Sequence, residues 1–417
     1  MIHSAKTMDI TLSSLAGPPY VVTTDQLISG TVTYKNEKEL PSGFITISLV
    51  GRSDTTFNKG RTVYQSSATL FNIQQTLHDG PLDSENEWKF EFTFPKVTSG
   101  EKKKWLDVPP YQVTDGHKLP PSTIFDSGGI ERDRGKGFIM YLLEAKISKS
   151  EAKSRSTFSS SDPDARLLLY HIPYRQTEIP GAQIALVGKE SYTVFSNLLD
   201  PSPSSNEKRS FFNRFKTPNA IFEISVTAPR VVYVGGPFPV TLDIKHDLQQ
   251  LKAPSPPTIK LTSCSLLIMR IMHSVGKAIT EEDGKFSTLE LIAGSAHLDV
   301  PLSETNSLSD ILNLTAFRTT YGMTFATYNV AQSFKILLKA RFDCAEKTLW
   351  TELRSNEVYV LPPFTKERLE AEGGDMKRLL QGLNVRSDGS DGGDVNLAGM
   401  GMLEGVLGSA AAAVFSF

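Results

Sequence analysis

Trp88-Lys89-Phe90-Glu91-Phe92-Thr93-Phe94 is the stretch on which the fold turns. Its aromatic residues fall at every second position, and Lys, Glu and Thr lie between them. Side chains alternate between the two faces of a β-strand, so this period of two puts four rings on one face and the polar groups on the other. Pro95 follows and stops the strand, because it has no N–H to give to a ladder. A strand that is apolar on one face only belongs to an antiparallel sheet with one side on a core and the other in water.

The same punctuation extends in both directions. Residues 28–34 alternate, as do 43–50, which end at Gly51. Residues 64–73, 138–147 and 165–172 complete a first set of strands, the last running into Pro173. A second set comprises 222–227, 231–234, 238–245, 259–272, 286–298, 314–319, 334–344 and 357–361. The run 259–272 is long enough to bend or carry a bulge. Helical periodicity is nearly absent before residue 365. An all-β fold is therefore expected, with two β-sandwich domains in tandem at 8–176 and 220–362. Residues 177–219, rich in Pro and Ser at 200–219, would connect them. Residues 363–417 would form a flexible tail, in which Met376, Leu379, Leu380 and Leu383 fit one face of a short helix.

Composition narrows the function classes. The 417 residues exceed one ordinary domain, and the apolar content is that of a globular protein. Charge is nearly balanced, 44 basic against 46 acidic residues giving −2, so no net basic field is available to hold a nucleic acid. The N-terminal residues lack the apolar core of a signal peptide. The segment 397–417 is apolar enough to weigh as a tail anchor, but Glu404 near its middle costs roughly 2.5–3.5 kcal/mol at mid-bilayer, and four glycines weaken it further. A cytoplasmic protein is expected, with Cys264 and Cys344 as free, buried thiols.

A search for chemistry returns little. Around Gly129, Gly135, Lys136 and Gly137 a phosphate loop is faintly suggested, but a P-loop needs four residues between its glycines and Ser or Thr after the Lys. Neither condition is met. The seven histidines show no zinc-ligand spacing, and there is no HExxH, CxxC or GxSxG. No catalytic residue, metal or cofactor is expected. Two basic clusters stand out: Lys102, Lys103 and Lys104, and Arg132, Arg134 and Lys136. As solvated loops they need no function; brought together, they would form a patch for phosphate groups on a partner tail or a lipid. The polar stretch 148–164 lies between two strands as a long hairpin loop. Its Ser154, Ser156, Thr157, Ser159, Ser160 and Ser161 are candidates for phosphorylation, which would turn a basic loop acidic and let it compete for that patch.

The order of the pieces carries a resemblance. Ile28-Ser-Gly-Thr-Val32, Ile45-Thr-Ile-Ser-Leu-Val-Gly51, the 88–95 strand, Leu119-Pro-Pro-Ser122 and Ile139-Met-Tyr-Leu-Leu-Glu-Ala-Lys146 follow one another. Together they resemble the N-terminal domain of arrestin-like proteins, most of all the fungal alpha-arrestin group. Val234-Gly-Gly-Pro-Phe-Pro-Val240 resembles the entry to the arrestin C-terminal domain, and 334–344 its late strand. The resemblance covers about residues 8–362. It implies two tandem immunoglobulin-like β-sandwiches and an adaptor rather than an enzyme. The expected partners are tails of membrane transporters or receptors and a HECT-type ubiquitin ligase that drives endocytosis, with recruitment to plasma membrane or endosomes. The chain departs from the group in having no PPxY motif: Pro18-Pro-Tyr20 and Pro109-Pro-Tyr111 lack the intervening residue, and Pro120-Pro121 and Pro362-Pro363 have no Tyr at the required place. Ligase recruitment would then be indirect or absent. The alternative is a retromer-like or coat-associated trafficking scaffold of the same fold with no ligase link.

Overall fold

The computed structural model describes residues 7–15, 17–18, 20–35, 40–99, 111–112, 114–126, 135–148, 163–175, 184–199, 217–249, 251, 255–277, 282–314, 316–317 and 322–367. Their regular structure is β, apart from one helical turn at Leu308–Ile311 and a 3-10 turn at Asn197–Leu199. The alternating 88–94 stretch is β6, Glu85–Thr93, with Phe90 and Phe92 buried and Lys89, Glu91 and Thr93 exposed. It pairs with β3, Leu27–Lys35, which pairs with β1, Thr7–Leu12, in a three-stranded antiparallel sheet.

A long sheet runs through both halves of the sequence. Its first half contains β4 (Leu40–Lys59), β5 (Thr62–Leu82), β8 (Gly135–Ser148), β9 (Ala165–His171) and β2 (Tyr20–Val22); β7 (Thr123–Asp126) pairs β8. Its second half contains β14 (Ile259–Lys277), β17 (Phe325–Ala326) and β18 (Val330–Cys344), with β15 (Glu282–Pro301) on β14 and β19 (Lys347–Arg354) on β18. The halves join where Lys277 pairs Gln65. Gly276 permits this approach: a Cβ there would lie 3.0 Å from the Gln65 nitrogen. A four-stranded sheet, β10 (Ile184–Phe195), β11 (Asn219–Pro229), β13 (Thr241–His246) and β16 (Thr305–Ser307), lies in the second half. There, too, β12 (Val231–Tyr233) pairs in parallel with β20 (Tyr359–Leu361).

Two hydrophobic cores follow from this sandwich-like layering. The first draws Ile28, Val32 and Phe92 from the three-stranded sheet and Ile47, Phe71 and Tyr141 from the long sheet. Phe94 sits at its centre, edge-on to Phe71 at 5.8 Å and to Tyr141 at 5.3 Å. The second draws Phe222 and Ile224 from the four-stranded sheet and Leu266, Ile336 and Phe342 from the long sheet. Burial at about 25 cal/mol per Å² of apolar surface is the main force holding both.

The second half also plugs the first core. Tyr328, in the turn before β18, is 2% exposed and belongs to the first core. Its hydroxyl donates to Asp115 Oδ1 at 2.5 Å, and its ring meets His117 edge-on at 4.8 Å. Asn329, fully buried, accepts from Ser53 Oγ and donates to Ser53 O at 3.1 Å and Ser66 Oγ at 2.7 Å. Thr55 Oγ1 donates to Val275 O at 3.0 Å. These buried polar groups are mutually satisfied, which fixes the geometry of the junction.

Several expectations need correction. Gly51 does not end a strand: β4 continues to Lys59, and Gly51 marks a register shift. A Cβ there would lie 2.6 Å from the Phe71 ring, so the glycine serves a close approach rather than a stop. Leu314, Ala316 and Phe317 are not in a strand. Phe317 instead exchanges backbone hydrogen bonds with the 235–236 turn and packs on Phe238. Within 177–219, the stretch expected to connect two domains, the twelve-residue β10 forms. The bulge expected in 259–272 is present, as register shifts at Leu261/Ser263 and Leu266/Leu267. The proposed tail helix lies outside the described residues.

Candidate docking seam

The residues singled out for binding mostly escape description. Lys102, Lys103, Lys104, Arg132 and Arg134 lie outside the described residues, as do Ser154, Ser156, Thr157, Ser159, Ser160 and Ser161. Lys136 is on β8, opposite Thr56 in register. The strands flanking the serine-rich segment, β8 and β9, are antiparallel neighbours, as a hairpin requires.

The described residues of the Pro-Pro sites are built into the fold. Tyr20 opens β2, pairs Leu169 and packs against the first core. Tyr111 is half-buried, and burial pushes its phenol up. Pro120 is buried and its carbonyl accepts from the Tyr141 hydroxyl at 2.6 Å. Phe364 O accepts from Arg175 N at 2.6 Å, and Arg175 lies over the Tyr233 ring at 4.1 Å.

Among the described residues, no group of three or more His, Cys, Asp or Glu side chains could hold a metal ion. No helix among them is long and apolar enough to cross a membrane. Cys264 and Cys344 are free and buried; burial pushes their thiols up to about 12 and about 11, away from the nucleophilic thiolate.

The feature with the geometry of a site is a seam in the second half. The strand β10 lies at the end of the four-stranded sheet and pairs only with β11 among the described residues. A register shift at Leu186/Gly188 leaves Val187 bulged, and a Cβ on Gly188 would come 3.1 Å from Leu353, so β10 nearly touches β19 there. Beyond Gly188 side chains close the seam. Thr351 Oγ1 donates to Glu190 Oε2 at 2.6 Å, and the Tyr192 hydroxyl lies 2.9 Å from Trp350 O. Burial pushes the Tyr192 phenol up to about 12, so it remains a donor.

On the other side of Gly188 the seam opens into a cavity of about 240 Å³. Val187, Ala228, Ile336 and Val358 of the second core line it. Its Ser355 is internally satisfied: the Oγ accepts from Ile336 N at 2.7 Å and donates to Asn356 O at 2.6 Å. Leu186, 50% exposed, and Tyr359, 41% exposed, stand at the rim with Arg230 and Glu357. The Arg230 guanidinium lies 6.0 Å over the Tyr359 ring, and Tyr359 N donates to Arg230 O at 2.8 Å. No carboxylate among the described residues lies within ion-pair distance of Arg230. Nothing in the sequence pattern marks Arg230; the site exists only because residues 185–187, 228–230 and 355–359 meet in space.

No protein-family model matches the chain, and no curated protein matches it in sequence.

Proposed function

We propose that this protein is an arrestin-like adaptor of two tandem immunoglobulin-like β-sandwich domains, the second of which includes β10. It binds tails of membrane transporters or receptors from the cytoplasm and promotes their ubiquitin-linked endocytosis or trafficking. The observation that carries the reading is where the resembling residues lie. Residues 28–32 and 88–93 are on the neighbouring strands β3 and β6, residues 45–51 and 139–146 on β4 and β8, and all surround one core. The 234–240 stretch leads into β13 beside the other core. Such a protein acts by surface: open strand edges accept extended segments, and basic loops take phosphate. The test is capture of partners by the full-length protein in cells, read by mass spectrometry. Transporters or receptors together with a ubiquitin ligase support the reading; a partner set without membrane proteins or sorting machinery contradicts it.

A second reading, a retromer-like or coat-associated scaffold without a ligase, is favoured by the Pro-Pro sites. A WW groove takes an exposed polyproline segment with its Tyr presented. Here Tyr20 is in a strand and Tyr111 is half-buried. Sorting-coat subunits without a ligase in the same capture select this second reading.

A further inference from the structure

We infer that the seam between 184–187 and 355–359 docks an extended polypeptide, which adds as a strand to the open edge of β10. It drops one apolar side chain into the 240 Å³ cavity and sets a carboxylate on Arg230. The inference rests on the surface-binding reading in taking the partner to be a polypeptide, and it names the edge and the ligand chemistry.

Three observations converge. The first is the edge: β10 uses one side for β11, and its other side at 184–187 meets no strand among the described residues. Unpaired backbone N–H and C=O groups on an apolar strand are a template for strand addition. The second is the cavity. At about 240 Å³ it falls below the roughly 300–1,000 Å³ of a site for a drug-sized ligand. Its floor is the second core itself, so it suits one apolar side chain presented by a strand. The third is the charge. Arg230 is exposed, with its guanidinium at the outer reach of a cation–π contact with Tyr359, and has its donors available. A planar guanidinium at the mouth of an apolar pocket is suited to bidentate carboxylate binding. Glu357 shares the rim and opposes that carboxylate, so it limits affinity.

The seam also has a built-in end. Past Gly188 the Glu190–Thr351 and Tyr192–Trp350 contacts bar a longer strand. The docked segment is therefore short, and its carboxylate is either the chain terminus or an acidic side chain.

The experiment is fluorescence polarisation with the full-length protein and a labelled hexapeptide of alternating threonine and valine that ends in leucine. It is offered as the free acid, as the amide, and as the amide with glutamate before the leucine. Wild type is expected to bind the free acid or the glutamate peptide at least tenfold tighter than the plain amide; whichever is tighter identifies the carboxylate source. Arg230→Gln abolishes that difference, Glu357→Gln raises acid affinity about threefold, and Ala185→Trp, which fills the cavity, weakens all three peptides. Deuterium exchange at 184–187 slows on binding. Equal binding of all three peptides, wild-type binding by both R230Q and A185W, or no binding at about 1 mM overturns the proposal. Synthetic peptides and purified protein leave the trafficking role untouched, so a failure here and a failure of the adaptor reading are separable.

Discussion

Asn329 and its hydroxyl partners show how much a single residue can hold. Its amide satisfies Ser53 and Ser66 across the junction of the two halves, in a buried site. Asn329→Ala takes the amide away from Ser53 and leaves Ser66 only its Thr55 partner, and a loss of about 2–4 kcal/mol is expected in urea unfolding. A second prediction concerns pH. His171 is 1% exposed and packs on Phe94 and Tyr141; burial lowers its pKa from 6.5 to about 4. Burial also lowers His117, His246 and His273. Between those limits the unfolded chain binds more protons than the folded one, so stability falls as pH drops from 6.5 toward about 4. His171 alone accounts for roughly 3 kcal/mol of that loss. Urea midpoints should decline across this window, and His171→Phe should flatten the decline. None of this was legible in the sequence, because Asn329 and His171 look like ordinary strand-flanking polar residues until their partners, 276 and 149 positions away, are in place.

At the scale of elements, legibility followed local signal. The β6 stretch was readable because its period is strict and Pro95 ends it. The hairpin from β18 to β19 was not, because its turn is Ala345-Glu346, both with positive φ (46° and 62°), where Asn-Gly is the usual signal. Without a turn mark, β19 had nothing to announce it. Left-handed backbone costs a non-glycine residue on the order of 1 kcal/mol. The double change Ala345→Asn with Glu346→Gly should therefore stabilise the protein by about 1 kcal/mol, read as a higher urea midpoint. β10 was hidden differently: its Gly188-Lys-Glu-Ser191 centre is polar, and only pairing with β11 over 184–195 makes it a strand. The expectation of a connecting segment there thus passed over the strand that forms one wall of the seam. Conversely, Leu314–Thr319 has strand composition, but Phe317 gains more by packing among Phe238 and Phe334.

For the whole molecule, the insertion of Tyr328 into the first core ties two cores that the sequence presents as separate sets of strands. Wild type should melt in one calorimetric transition over residues 7–367, whereas Tyr328→Ala, which opens a cavity worth about 3–5 kcal/mol, should split it into two. The all-β class was legible from alternation alone; the joining of the halves was not, since it depends on long-range pairs such as Lys277 with Gln65. The placement of Tyr20 and Tyr111 leads to a further expectation at this scale: isolated WW domains should bind the folded protein no better than a scrambled control. A low-micromolar interaction mapped to either tyrosine would show that these segments open. The adaptor reading itself is tested most directly by comparing surface proteomes of cells lacking the protein with the same cells re-expressing it. The account predicts that a defined set of transporters or receptors accumulates at the surface in its absence and returns to normal on re-expression. Surface levels that are the same in both would contradict it.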